Sequence, residues 1–328
     1  MKRKVIFRAD ASKAIGFGHF IRSLALASYL QDEFDCYFCT FNEDSLSPSP
    51  YQLKEIGDVC QYLPIAASSR KEFNNNFLAT LNGDEIVVLD NYFFNDTFQG
   101  KIKEKGCRLV CIDDLHDRKM NCDALITFLP HKREIFDLPE DSRYLADLKY
   151  MLLRPPFLME QEAGRKSGDY GKWVLAVGGA DPYGLTNKLI EIILSTVKGV
   201  ELSVIAGDTV IIDGKYRDKI ILRSRLTAGD IADLFRKSDF GILSASTICI
   251  EALACGLPVA AGWYVDNQKE FYEYGTSNGL FFPLGNLFDD KSNIKARLLM
   301  AISQRRGPAA EIDFPRGKEE IKTLFKEL

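Results

Sequence analysis

Short unbroken apolar runs alternate along the chain with stretches in which apolar residues recur every three to four positions. The runs Val5–Asp10, Cys36–Phe41, Ile86–Asp90, Leu109–Asp113 and Ala124–Phe128 predict strands, and three of them end in an acid. Continuous rather than alternating apolar sequence suits strands buried on both faces, hence a parallel sheet. A helical spacing over His19–Leu30 predicts the first crossover helix. Regular structure breaks at Arg154-Pro155-Pro156, because proline lacks an N–H and restricts the residue before it. The polar stretch Gln161–Gly171 then reads as an interdomain linker. After it the alternation resumes, with strands predicted at Trp173–Val177, Leu202–Ala206, Lys219–Leu222, Phe240–Leu243 and Val259–Ala261. Helices are predicted at Leu185–Val197, Ile231–Lys237 and Ile248–Cys255, and a last amphipathic one at Gly317–Leu328. Two successive βαβ series predict an α/β protein of two Rossmann-like domains, 1–155 and 156–310, with mainly parallel sheets facing a cleft and a C-terminal helix within 311–328. Ligands of such sheets bind beyond the carboxyl ends of the strands, so the chemistry is expected there.

Charge removes some classes of function. Lys and Arg number 42 against 46 Asp and Glu in 328 residues, a net charge of −4. This near-balance argues against a general nucleic-acid binder, which would carry a basic stripe. No segment reaches the roughly 18 apolar residues of a membrane span. The basic start Met1-Lys2-Arg3-Lys4 is followed by Arg8 and Asp10, which interrupt the apolar stretch before it attains signal-peptide length, so a cytoplasmic protein is expected. The 8 cysteines lie mostly in strand-like runs, as reduced core residues do. Cys36-Tyr37-Phe38-Cys39 has metal or redox spacing, but it sits within a strand and no second pair accompanies it.

Candidate chemistry in the first half begins at Gly16-Phe17-Gly18-His19-Phe20-Ile21-Arg22. Glycines between strand and helix let a ligand approach the backbone, and the helix start offers N–H groups to an anion. A dinucleotide fingerprint would need a third glycine where Ile21 stands, and an acid at the end of the second strand, so NAD binding is disfavoured. His19 lies in the first turn, where the helix dipole disfavours imidazolium and suits a neutral base. The alternative is a histidine that only hydrogen-bonds its loop. His116 and His131 carry no motif. Asp10, Asp90 and Asp113 each end a predicted strand, and Asp114 extends the set. Such acids can bind a metal, orient a base, hold a sugar, or cap the following turns.

In the second half, Gly178-Gly179-Ala180-Asp181 joins a strand to a helix and can turn N–H groups toward a diphosphate. It lacks the Lys-Ser/Thr of a P-loop. Ser244-Ala245-Ser246-Thr247 precedes a helix carrying Glu251. The hydroxyls and the helix start suit phosphate, and the carboxylate can accept both hydroxyls of a ribose. The alternative is a capping hydroxyl paired with a first-turn Glu. Asn267-Gln268 open the next helix near the same edge.

Taken in order from position 8 to 268, these blocks resemble the UDP-sugar hydrolase family of pseudaminic-acid biosynthesis, whose architecture is that of GT-B nucleotide-sugar glycosyltransferases. The resemblance is carried by Arg8-x-Asp10-x-Ser12, Ile15-Gly16-Phe17-Gly18-His19-x-x-Arg22, Asp90-x-Tyr92 and Asp113-Asp114. Tyr150-Met151-Leu152-Leu153-Arg154-x-x-Phe157, Gly178-Gly179-x-Asp181, Ser244-x-Ser246 with Glu251-Ala252, and Asn267-Gln268 continue it. Asn91 stands where the family pattern has His, and Ile250 where it often has Asn. The resemblance implies that the N-terminal domain faces the sugar and the C-terminal domain holds UDP. It implies a catalytic centre of His19, Asp10 and Tyr92, with His19 activating a water against the anomeric carbon. Substrate would be held by Gly16, Gly18 and Arg22, by Gly178, Gly179 and Asp181, and by Ser244, Ser246, Thr247, Glu251, Asn267 and Gln268. Neither metal nor cofactor is expected, and the oligomeric state stays open. A GT-B glycosyltransferase using a UDP-sugar donor and a non-catalytic nucleotide-sugar binding protein are the alternatives.

Overall fold

The computed structural model describes residues 2–11, 17–42, 45–115, 119–159, 171–178, 181–304 and 312–328. It divides into two compact units, Met1–Pro155 with Asp313–Leu328, and Pro156–Ile312. Except for Gly171, the predicted linker lies outside the described residues.

In the first unit, β1 (Lys4–Ala9) leads to α1 (Gly18–Leu30), β2 (Asp35–Cys39), α2 (Pro50–Gly57), β3 (Gln61–Tyr62) and α3 (Arg70–Thr80). Then come β4 (Ile86–Asp90), α4 (Asp96–Glu104), β5 (Arg108–Asp113), β6 (Ala124–Thr127) and β7 (Arg143–Ala146). The strands pair in parallel in the order β3-β2-β1-β4-β5-β6-β7. Sheet order therefore reverses between β1 and β4, which is where an open α/β sheet leaves a crevice at its carboxyl edge. The two faces bury different side chains. Ile6, Val87, Leu89, Phe73, Phe77 and Leu109 form the core on one side. On the other side α1 sets Phe20 against Phe38, which stacks with Phe7.

In the second unit, β8 (Lys172–Ala176), α5 (Leu185–Thr196), β9 (Glu201–Ile205), β10 (Ile221–Arg223), α6 (Ala228–Lys237), β11 (Phe240–Ser244), α7 (Thr247–Ala254), β12 (Val259–Trp263), α8 (Asp266–Ser277), β13 (Phe282–Asn286) and α9 (Lys291–Gln304) follow in turn. Its parallel sheet runs β10-β9-β8-β11-β12-β13, again with the reversal next to the first strand. Trp173, Leu175, Ile190, Ile193, Val204 and Ile242 lie in its core.

Then α10 (Phe314–Glu327) packs on the first unit. Its Glu320 accepts from Tyr150 Oη at 2.6 Å and meets Lys149 Nζ at 2.7 Å, and its Phe325 meets Phe34. Among the described residues no helix is long and apolar enough to cross a membrane.

Cys36 and Cys39 both fall on β2. Burial pushes each thiol up to about 12, so neither offers the thiolate that a metal or a redox step needs.

Candidate active site

The helical repeat decides what the first unit's site contains. His19, Arg22 and Ser23 stand at i, i+3 and i+4 of α1 and so share one face. That face meets the carboxyl end of β4. The His19 ring lies with Nδ1 2.7 Å from Asp90 Oδ1. Arg22 donates from Nε to Asp90 Oδ2 at 2.6 Å and from Nη2 to Oδ1 at 2.5 Å. Ser23 Oγ donates to Oδ2 at 3.1 Å. A third Arg22 nitrogen, Nη1, reaches Asp114 Oδ2 at 2.5 Å, and the guanidinium lies 5.3 Å from the centre of the Phe128 ring.

Asp90 and His19 are both buried. Burial by itself would raise the Asp90 pKa, but the charges of Arg22 and His19 outweigh it and bring the carboxyl down to about 2. Asp90 is thus an anion that can only accept. Arg22 Nη2 also lies 2.9 Å from His19 Nδ1, so this ring nitrogen faces both a carboxylate and a guanidinium. In the tautomer that turns Nδ1–H to the carboxylate, Nε2 is left as the basic atom of the ring. A histidine so placed against a carboxylate can serve as a base with its orienting acid.

Tyr92 completes the cluster. Its ring meets His19 edge to face at 4.4 Å, and its hydroxyl is bonded to Asp114. Burial first, and then the Asp114 charge, push the phenol up to about 12, so it stays a donor near neutrality. Gly18 opens α1, and a Cβ there would meet nothing within 4 Å, which leaves space at the helix start. Gly16 lies outside the described residues.

Asp10 has another place. In parallel register Ala9 pairs with Asp90, so the next residue points to the opposite face of the sheet. There Asp10 forms a fully buried fork with Arg8, and its Oδ1 accepts the Phe41 N–H at 2.7 Å. Arg8 is stacked over Phe73 at 4.6 Å. The expectation that Asp10 works beside His19 gives way to a framework clamp. The doublet Asp113-Asp114 splits in the same manner: Asp114 joins Arg22, while Asp113 accepts the Leu115 N–H at 3.1 Å. Among the described residues no group of three or more metal-ligating side chains converges, and both oxygens of Asp90 are held by Arg22.

Ser23 and Phe128 were not picked out by sequence reasoning. The i+4 spacing of Ser23 from His19 was the available signal; for Phe128 there was none.

The second unit offers two helix starts, and they differ. At α5, Asp181 turns back with φ +36°, and its carboxylate accepts Leu185 N–H at 2.9 Å and Thr186 N–H at 2.8 Å. The N–H groups of the first helical residues are thus filled by the chain's own acid, and Asp181 caps α5. Gly178 precedes it with φ +145°, and a Cβ there would approach Tyr264 Oη to 3.0 Å. Gly179 lies outside the described residues.

At α7 the picture is reversed. Ser246 is the N-cap, but its side chain makes no capping bond; Oγ lies 3.0 Å from Ser244 Oγ instead. Thr247 is the first helical residue, so the helix start carries hydroxyls and uncapped N–H groups together. Glu251 is buried in the second turn, not the first, which removes the capping-box alternative. Gln268 is buried near the start of α8, where its Oε1 accepts the Tyr264 N–H at 3.1 Å, and Asn267 beside it is exposed.

No protein-family model matches the chain. It is 27% identical over 274 residues to the UDP-2,4-diacetamido-2,4,6-trideoxy-beta-L-altropyranose hydrolase of Campylobacter jejuni, which covers 81% of this chain and 93% of that protein. An uncharacterized protein of Methanocaldococcus jannaschii is 25% identical over 295 residues, which covers 82% of this chain but 57% of that longer relative. In structure, the MurG of Acinetobacter baumannii matches with a TM-score of 0.64 at 10% identity, over 99% of this chain and 100% of that one. The chain has a GT-B-like fold built on two parallel-sheet α/β domains.

Proposed function

We propose that the chain is a nucleotide-sugar hydrolase, releasing UDP from a UDP-linked deoxy diamino sugar of the pseudaminic type. The observation that carries this reading is the His19–Asp90 pair, 2.7 Å from Nδ1 to Oδ1. In this reading the proton sits on Nδ1 and the basic Nε2 is left for water. Water attacks the anomeric carbon and gives a proton to Nε2. The bond between that carbon and the phosphate oxygen breaks, and its electron pair leaves with UDP. Asp90 stabilises the imidazolium that forms, and Arg22 keeps Asp90 charged. Base catalysis of this kind contributes about 10²–10⁴-fold. One base and one direct displacement give inversion at the anomeric carbon.

The second unit supplies the UDP-holding residues in this reading. Ser246, Thr247 and the uncapped start of α7 take phosphate, Glu251 takes the ribose hydroxyls, and Asn267 lines the phosphate region. The similarity to a hydrolase of a diacetamido UDP-sugar supports the substrate class.

The test is turnover of a panel of UDP-amino sugars in ¹⁸O-water without any acceptor. Free sugar carrying the label is the expected product. Label in UDP means attack at phosphorus, and no release without an acceptor means a transferase or a binding protein.

A further inference from the structure

Asn91 lies at the carboxyl end of β4, between Asp90, which holds His19, and Tyr92, which packs on it. It is only 9% exposed. Its Oδ1 accepts the Tyr92 N–H at 2.8 Å, and this bond fixes which way the amide faces. Nδ2, the opposite prong, has no acceptor among the described residues. A buried donor left without a partner is costly, so Nδ2 is open to an acceptor that a ligand brings. A second atom of the same cluster is in the complementary position. Among the described residues Asp114 Oδ1 is buried and has no donor, although Oδ2 of the same carboxylate is bonded to Arg22. One unused donor and one unused acceptor thus stand at the carboxyl ends of the neighbouring strands β4 and β5.

We infer that Asn91 is a specificity-determining residue that reads an N-acylamino substituent of the sugar. An acylamino group presents one carbonyl oxygen and one N–H. The carbonyl accepts from Asn91 Nδ2, which can only donate, and the N–H donates to Asp114 Oδ1, which can only accept. A hydroxyl takes the place of the amide nitrogen and not of the carbonyl oxygen beyond it, so it leaves Nδ2 without that acceptor, and the amide of Asn91 discriminates between the two substituents. This inference rests on the hydrolase reading for its substrate class, but it concerns recognition rather than bond cleavage.

The probes are UDP-2,4-diacetamido-2,4,6-trideoxy-β-L-altropyranose and counterparts in which one acetamido group is replaced by hydroxyl. Dissociation constants are measured by calorimetric titration, and kcat/KM where turnover occurs, for the native chain, Asn91→Asp and Asn91→Ala. Asn91→Asp keeps the acceptor for the Tyr92 N–H and removes only the donor. The native chain is expected to favour one acetamido position over its hydroxyl counterpart by ten-fold or more, and both variants are expected to lose most of that ratio. Because a ratio is read, general damage from the added charge cancels. If Asp at position 91 does not fold, the Ala variant decides alone. A ratio unchanged in a folded variant overturns the assignment, as does a native chain with no preference between the probes. Should the native chain bind the probes without releasing sugar, the hydrolase reading fails while the affinity ratio still decides the role of Asn91.

Discussion

His19 Nδ1 and Asp90 Oδ1 lie 2.7 Å apart although 71 positions separate them in sequence. The reversal of sheet order between β1 and β4 makes this possible, since it sets the helix that follows one strand against the end of the other. The pair is more than an ion contact. Arg22 bridges the same carboxylate from the helix side, so the imidazole is oriented by an acid that is itself held in place. A carboxylate so held is the group through which the histidine can be disturbed without being touched.

Replacing Asp90 by Asn is expected to abolish most turnover while keeping His19 in place. The new amide can donate to Nδ1, which moves the ring proton to Nε2 and leaves no basic atom facing water. A fall of about 10²–10⁴-fold in kcat is the expected size, the range of a lost general base. Stability should also fall by about 3–5 kcal/mol, because Arg22 loses its buried partner, with Asp114 recovering part of that. Near-native kcat in a folded variant would remove the orienting role.

Acid should act through the same residue. The Asp90 carboxyl is held below its unfolded value, so the stability it contributes is present above about pH 4 and is lost as pH falls through about 2. The loss is on the order of 2 kcal/mol. Thermal unfolding between pH 5 and 2 should show a steeper drop in Tm for the native chain than for Asp90→Asn. Parallel curves would mean that Asp90 is not the group that titrates.

How much of this was legible can be judged residue by residue. The acids closing the apolar runs were visible, and so was the glycine-flanked His19. What the runs could not reveal was register, and register decides the face. Asp10 and Asp90 look equivalent in sequence, yet alternation sends one to Arg8 and the other to His19. The split of Asp113 from Asp114 follows the same rule. At α5 the limit was loop geometry: the left-handed backbone at Asp181 that turns its carboxylate onto the helix start has no sequence signal. Two elements outside the predicted set lack apolar periodicity. Helix α3 buries only Phe73 and Phe77 in eleven residues, and β13 contains Pro283 and Gly285 at a sheet edge.

Gly317 tests how α10 is seated. A Cβ there would overlap the carbonyl oxygen of Lys149, so the helix lies on this backbone only because the position is glycine. Gly317→Ala is expected to lift the first turn of α10 and to weaken the contacts of Glu320 with Lys149 and Tyr150. A loss of about 1–3 kcal/mol is the usual cost of forcing extra volume into a packed contact. An alanine variant as stable as the native chain, despite the intrinsic helical preference for Ala, would show that the helix shifts at no cost.

His19→Asn should separate the two units' contributions. The amide keeps a polar group at the helix start but cannot take a proton from water. Turnover is expected to collapse, while affinity for UDP stays within about two-fold, because the UDP-holding residues are proposed on the second unit. Rapid-quench assay and calorimetric titration of the same preparation check both halves. A variant that keeps its rate would remove the base, and one that loses UDP affinity would relocate the nucleotide.

Glu251 carries the remaining prediction. It is buried in the second turn of α7, beyond the reach of the capping box that would otherwise explain a Glu after Ser246. An ionised carboxylate accepting two ribose hydroxyls makes charge-assisted bonds, worth about 1.5–3 kcal/mol net. At about 1.4 kcal/mol per factor of ten, Glu251→Ala should weaken UDP binding by roughly ten-fold to more than a hundred-fold. It should also erase most of the preference for UDP over 2′-deoxy-UDP, since the hydroxyl is then no longer sensed. A purely structural Glu251 would have a different signature: the substitution would lower Tm, and both nucleotides would bind the folded variant as they bind the native chain. Titration of both proteins with both nucleotides separates these outcomes. Unchanged UDP affinity would take the ribose from this helix, and with it the reason for assigning phosphate to the neighbouring Ser246 and Thr247.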